Sequence, residues 1–114
     1  MYCKDLEMYR KQTKAYEVVF KKDGQTTDIT GWTVYMVIKT KMEDTDVQAL
    51  LIKKVTSHTD PTGGRTIIEL SSSDTDITMG NHYYSIDYKT DEGDEGVLFH
   101  GRMRVIEPTL QNRD

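Results

Sequence analysis

Met79-Gly80-Asn81-His82-Tyr83-Tyr84-Ser85-Ile86-Asp87-Tyr88-Lys89, then the acidic stretch Thr90-Asp91-Glu92-Gly93-Asp94-Glu95-Gly96, then Val97-Leu98-Phe99-His100-Gly101-Arg102-Met103-Arg104-Val105-Ile106-Glu107-Pro108, decide how this chain folds. Two runs dense in aromatic and β-branched residues flank a cluster of turn formers, which is the signature of a β-hairpin. Side chains alternate across a strand. Tyr84, Ile86 and Tyr88 therefore share one face, and Tyr83, Ser85 and Asp87 the other. On the return run Phe99, Gly101, Met103 and Val105 lie opposite Leu98, His100, Arg102, Arg104 and Ile106. The first set in each run supplies core. Asp87 is expected to face Arg102 or Arg104 across the strands, and Pro108 to end the pairing.

The same period of two recurs upstream. Thr13 to Lys22 buries Tyr16, Val18 and Phe20, and Asp23-Gly24 closes it as a tight-turn pair. Trp32 to Lys39 puts Trp32, Val34, Met36 and Ile38 in register. Its second face, Thr33, Tyr35, Val37 and Lys39, is itself half apolar, which suits a face covered by a partner. From Met42 to Val55 two patterns compete. Val47, Leu50, Leu51 and Val55 fit a helical stripe, while Ala49 to Thr56 fits a strand. The turn Asp60-Pro61-Thr62-Gly63-Gly64 favours the strand, which then makes a hairpin with Arg65–Ser71, where Thr66, Ile68 and Leu70 share a face. Ser71 to Ile77 reads as a loop with one helical turn capped by Ser73 or Asp74. The expectation is an all-β fold: one domain over residues 1–114, an antiparallel β-sandwich of about seven short strands.

The totals agree with a folded domain. The 114 residues are 36% hydrophobic and 30% charged, and a chain of this size has enough buried surface for one core. Its ends are expected to pair with a sheet or a neighbouring chain. The net charge of −4 offers no footprint for nucleic acid or for an anionic membrane. A single cysteine, Cys3, excludes an internal disulfide and a multi-cysteine metal site. Lys4, Asp5, Glu7, Arg10 and Lys11 break any signal-peptide core at the start, and no run has the length of a membrane span.

Motifs for chemistry are weak. His82 and His100 could meet across the hairpin, with His58 apart near a turn, but a metal site needs a third ligand of defined geometry. Asp91 to Glu95 is rich in oxygen ligands, yet it does not follow the twelve-residue calcium loop and suits a solvated hairpin tip. Ser71-Ser72-Ser73 lacks a glycine elbow, Gly63-Gly64 precedes no lysine-threonine pair, and no carboxylates are spaced as acid and base. No catalytic residues, metal ligands or cofactors are expected. The tyrosines say more. Tyr35, Tyr83 and Tyr9 fall opposite the inferred core, and tyrosine offers a partner large area with a polar tip.

Five segments in order resemble a known domain. They are Tyr9-Arg10-Lys11-Gln12-Thr13 leading into Tyr16-Val18-Phe20; Asp28-Ile29-Thr30-Gly31-Trp32 before Val34-Met36-Ile38; and Asp60-Pro61-Thr62-Gly63-Gly64 before Thr66-Ile68-Leu70. Ser73-Asp74-Thr75 with Met79-Gly80 then precedes Tyr83-Tyr84-Ser85-Ile86, and Leu98-Phe99-His100-Gly101 precedes Met103-Val105. Together they resemble the immunoglobulin-like β-sandwich domain of tailed-bacteriophage virion proteins, such as the N-terminal domain of baseplate upper proteins. The resemblance implies an immunoglobulin-like fold and a structural accessory protein of the virion, at capsid, neck, tail or baseplate, assembled in the host cytoplasm. It implies other phage structural proteins as partners, many copies or a homo-oligomer, and no catalytic residues. The candidate contact residues are Tyr35, Val37, Tyr83, Leu98 and Ile106. The competing expectation is a carbohydrate- or host-surface-binding module displayed on a particle.

Overall fold

The computed structural model describes residues 2–3, 5–41 and 49–107. Among them the secondary structure is all strand: β1 (Tyr2–Cys3), β2 (Leu6–Tyr9), β3 (Lys14–Val19), β4 (Lys21–Lys22), β5 (Gln25–Thr26), β6 (Thr33–Lys39), β7 (Leu51–Val55), β8 (Arg65–Leu70), β9 (Gly80–Lys89) and β10 (Glu95–Ile106). These ten segments exceed the seven strands expected. Four of them have four residues or fewer, and β1 and β2 run along the same edge as one broken strand.

β10, β9, β6 and β7 form the body of one sheet, in that order, with β1 and β2 added outside β10. The three long pairings are antiparallel, but β1 and β2 run parallel to β10, so the sheet is mixed rather than purely antiparallel. A separate ladder pairs β3 with β8, and β4–β5 make a small hairpin. In that hairpin Asp23 and Gly24 have φ of 53° and 79°, the left-handed pair that a two-residue turn of this hand requires. The N-terminal expectation of sheet pairing is met by the segment Leu6–Tyr9, whose Met8 is buried to 2% exposure.

The expected hairpin between β7 and β8 does not form. β7 pairs with β6 and β8 with β3, so residues 56–64 carry the chain from one ladder to the other. The turn at Asp60–Gly64 is local: Asp60 and Arg65 exchange backbone hydrogen bonds at 3.1 and 2.9 Å. Gly64 holds φ +72°, and a Cβ there would stand 2.5 Å from the Thr27 carbonyl oxygen and 2.7 Å from that of Phe20. The turn thus serves to seat β8 against the Phe20–Thr27 segment, not to fold β8 back on β7. Residues 42–48, and with them Val47 of the helical alternative, lie outside the described residues, as does Pro108.

One core joins both ladders. Val34, Met36, Ile38, Tyr84, Ile86, Met103 and Val105 from the large sheet share a buried cluster with Val18, Phe20, Ile68 and Leu70. Phe20 meets Trp32 and Tyr88 edge-on, at 5.5 and 5.7 Å between ring centres, and Trp32 stacks on Tyr88 at 5.1 Å. His58 ties the start of β6 to β8. Its Nε2–H donates to the Trp32 carbonyl at 2.7 Å, which leaves Nδ1 to accept from the Thr66 hydroxyl at 2.9 Å. Burial raises the Tyr16 phenol above its ordinary pKa.

After β8 the chain makes one turn without becoming a helix. Ser71 caps it, rather than Ser73: the Ser71 Oγ accepts from the Asp74 N–H and an Asp74 carboxylate oxygen accepts from the Ser71 N–H, a reciprocal capping pair. Asp74 also binds Lys53 of β7 at 2.9 Å. Lys53 occupies an inward position opposite Met36, and its stem lies along the sheet edge while the ammonium reaches this carboxylate.

Candidate functional site

The register assembles the outer face of the large sheet row by row. Tyr35 of β6 lies between Asp87 of β9 and Lys54 of β7, and Asp87 in turn faces Val97 of β10. In the next row Val37 lies between Ser85 and Ile52, and Ser85 faces His100. In the third, Tyr83 lies between Lys39 and Arg102. Tyr35, Val37 and Tyr83 give the middle of the face aromatic and apolar area beside Asp87 and Ser85, and Lys54 and Arg102 charge its flanking strands, a mixture that suits a docking patch. Ile52 and Val97 are 46% and 39% exposed.

Two depressions cross this face. One of about 530 Å³ is lined by Tyr35, Val37, Ile52, Asp87, Glu95 and Val97, among others. The other, about 110 Å³, shares Val37 and Asp87 with it and adds Tyr83 and His100. Tyr35, Val37 and Tyr83 thus come together as expected from their alternation. Leu98 and Ile106 do not join them. The β9–β10 register slips between Val97 and Phe99, and Leu98 at this bulge packs against the core. A bulge puts two residues opposite one and breaks the period of two on which the sequence assignment rested. Ile106 pairs with Tyr9 at the far end of β10, outside both depressions.

The register brings two further corrections. Asp87 faces Val97, whereas Arg102 faces Tyr83 and Arg104 faces Asn81, so the expected Asp87–arginine pairing across the hairpin is absent. His82 is buried opposite Met103 and gives its Nε2–H to the Thr78 carbonyl, while His100 faces outward beside Ser85. The two histidines therefore occupy opposite faces. Among the described residues no three histidine, cysteine or carboxylate side chains gather as a metal site. The acidic tip folds as a tight turn, with the Thr90 N–H donating to the Asp94 carbonyl at 2.7 Å and the Asp94 N–H to the Thr90 hydroxyl at 3.0 Å.

Ile52, Val97, Glu95 and His100 belong to this face and were not among the expected contact residues, although alternation puts His100 on the outer side and Glu95 ends the acidic turn. Ile52 was legible in principle: once β7 is set against β6, the alternation Leu51-Lys53-Val55 inward leaves Ile52 outward. Val97 depends on the bulge and left no signal. A wider cleft of about 890 Å³ separates β7 from β8, lined by Lys53, Lys54, Thr13, Glu69 and Ser71 among others. Polar and apolar residues line it alike, and Lys53 on its wall is already paired with Asp74. At the opposite edge, Arg10 binds Glu107 at 3.3 Å and Asp76 at 2.9 Å, and both carboxylates raise the guanidinium pKa further. Comparison with known proteins finds no matching family and no matching curated sequence.

Proposed function

We propose that this chain is an immunoglobulin-like β-sandwich that works as a structural accessory subunit of a tailed-phage virion, through protein–protein assembly rather than catalysis. The strand order supports the fold. Taken in sequence, β10, β9, β6 and β7 correspond to the G, F, C and C′ strands, and β3 with β8 to B and E, the division between sheets that immunoglobulin domains use. In this reading the Phe20–Trp32–Tyr88 cluster takes the packing role that a tryptophan against the inter-sheet disulfide has in such domains. The phage assignment rests on the sequence resemblance above.

The observation that carries the assembly reading is the half-apolar outer face around Val37. Folding has no use for Tyr35, Val37, Ile52 and Val97 on a solvated face, and a partner does. Many copies in a symmetric particle let modest contacts add up. Quantitative mass spectrometry of purified particles from the encoding phage is the test. A fixed stoichiometry to the other virion proteins supports the reading, and absence from the particles overturns it.

A second reading has one observation in its favour. The larger depression brings Tyr35 and Tyr88 beside Asp87 and Glu95, and aromatic faces with carboxylates suit a sugar on a host surface. Binding on a glycan array, lost in Tyr35→Ala, would favour it over pure assembly.

A further inference from the structure

The outer face is polarised along the hairpin. At the turn end, Asp87, Asp91, Glu92, Asp94 and Glu95 stand against Lys54 and Lys89, a surplus of three negative charges. At the other end, Lys39, Lys41, Arg102 and Arg104 stand against Asp5 and Glu7, a surplus of two positive charges. The row between them, Ile52-Val37-Ser85-His100, has no fixed charge. A surface that is uncharged along its midline and opposite in sign at its two ends is complementary to itself when one copy is turned over.

We propose that this face binds a second copy of the chain, face to face, about a two-fold axis that runs across the strands along the Val37–Ser85 row. The proposal rests on the assembly reading and names its partner. Such a contact is isologous, with the same patch on both copies. The axis sets Val37 near its own counterpart. It lays each acidic turn end over the partner's basic end, and brings the long Lys39 and Arg102 side chains over the row that contains Tyr35, where a cation can sit on the ring. Stacked sheets cross at about 30°, so the fit is closest at the axis and the outlying charges act by steering and orientation. Four strands and five rows make a patch on the order of 500 Å², below the ~800 Å² per partner of a standard specific interface. The expected dimer is therefore weak and salt-sensitive, suited to reinforcement by copy number.

Sedimentation equilibrium of the pure chain across protein concentrations tests this. The expected result is a monomer–dimer equilibrium whose dissociation constant rises on going from low to high salt. Reversing one end, as Arg102→Glu with Arg104→Glu or as Asp94→Lys with Glu95→Lys, should weaken the dimer by about tenfold or more. Reversing both ends in one chain should restore it, since the polarity is then inverted but still complementary. Val37→Lys places like charges at the axis and should abolish dimerisation while unfolding cooperatively, which guards against variants that fail to fold. A chain that stays monomeric at every concentration, or a dimer indifferent to single-end reversal, overturns the proposal. Either result leaves the virion reading to its own stoichiometry test, because a monomer can still occupy a fixed place in a particle.

Discussion

Met36 and Val37 are neighbours on β6 and belong to different proteins, in a sense. Met36 is fully buried among Ile86, Ile38 and the residues of the second ladder, and Val37 stands on the outer face with Ile52 and Ser85. The inner face is apolar through its centre, with Lys53 and His82 the polar members, because the fold consumes it. The outer face is uncharged only in its middle row, with Ile52 and Val37 apolar there, and charged at both ends, a pattern that core packing does not ask for. What differs between the two faces is the reason for their hydrophobicity: one is explained by this chain alone, and the other is what the proposed second surface would cover.

The comparison is broken most severely from within. Met36→Ala removes a side chain with no exposure and should cost about 3 kcal/mol in chemical denaturation, as lost burial plus a cavity. A loss under about 1 kcal/mol would mean that the two ladders do not close over it. Trp32→Leu tests the joint between ladders. It removes the stack on Tyr88 and the edge contact on Phe20 while keeping apolar bulk, and about 2 kcal/mol is expected from lost area and ring geometry. Near-UV circular dichroism, which reads aromatic packing, should lose intensity in parallel.

Much of the inner face was legible in the sequence, because a period of two is a strong signal where one side is fully buried. Tyr84-Ile86 against Met103-Val105, Val34-Met36-Ile38 and Val18-Phe20 all lie where alternation puts them. Pairing partners were less legible. The turn chemistry of Asp60–Gly64 implied a hairpin, but turn residues report only a reversal of direction, and here the reversal seats β8 on a different ladder. The parallel strands β1 and β2 left no trace, since no turn joins them to β10. On the candidate face, Tyr35, Val37 and Tyr83 followed from alternation on unbroken strands. Leu98 did not, because a bulge is decided by packing across the sheet and not by composition.

A smaller effect probes the bond between the sheet edge and the turn after β8. The Ser71 N–H and the Lys53 ammonium both bind Asp74 and hold its carboxyl below the ordinary carboxylate range. A carboxyl whose folded pKa is lowered stabilises the fold fully above its unfolded value, near 3.9, and this contribution fades as pH falls through the lowered value. Asp74→Asn should therefore cost about 1 kcal/mol at pH 7, the usual magnitude for a cap, and its deficit against the parent chain should shrink below about pH 4. A deficit that is the same at pH 7 and at pH 3 would assign the effect to shape rather than charge.

The smallest expected effect on stability is the most informative about the outer face. Val37→Ser removes two methyl groups from a half-buried position on a strand whose backbone pairing stays intact. If that face has no partner, the change is a routine surface substitution, and the unfolding free energy should move by no more than about 0.5 kcal/mol. The same substitution at Met36 would be ruinous, so adjacent residues on one strand give opposite answers to one assay. Association reverses the ranking. Val37 lies in the uncharged row, where an apolar contact excludes water from the charges at either end, and serine at that point lets water in. Equal stability with weakened self-association would separate the two kinds of hydrophobicity. A loss of several kcal/mol would instead make the outer face part of the core, covered by the chain itself.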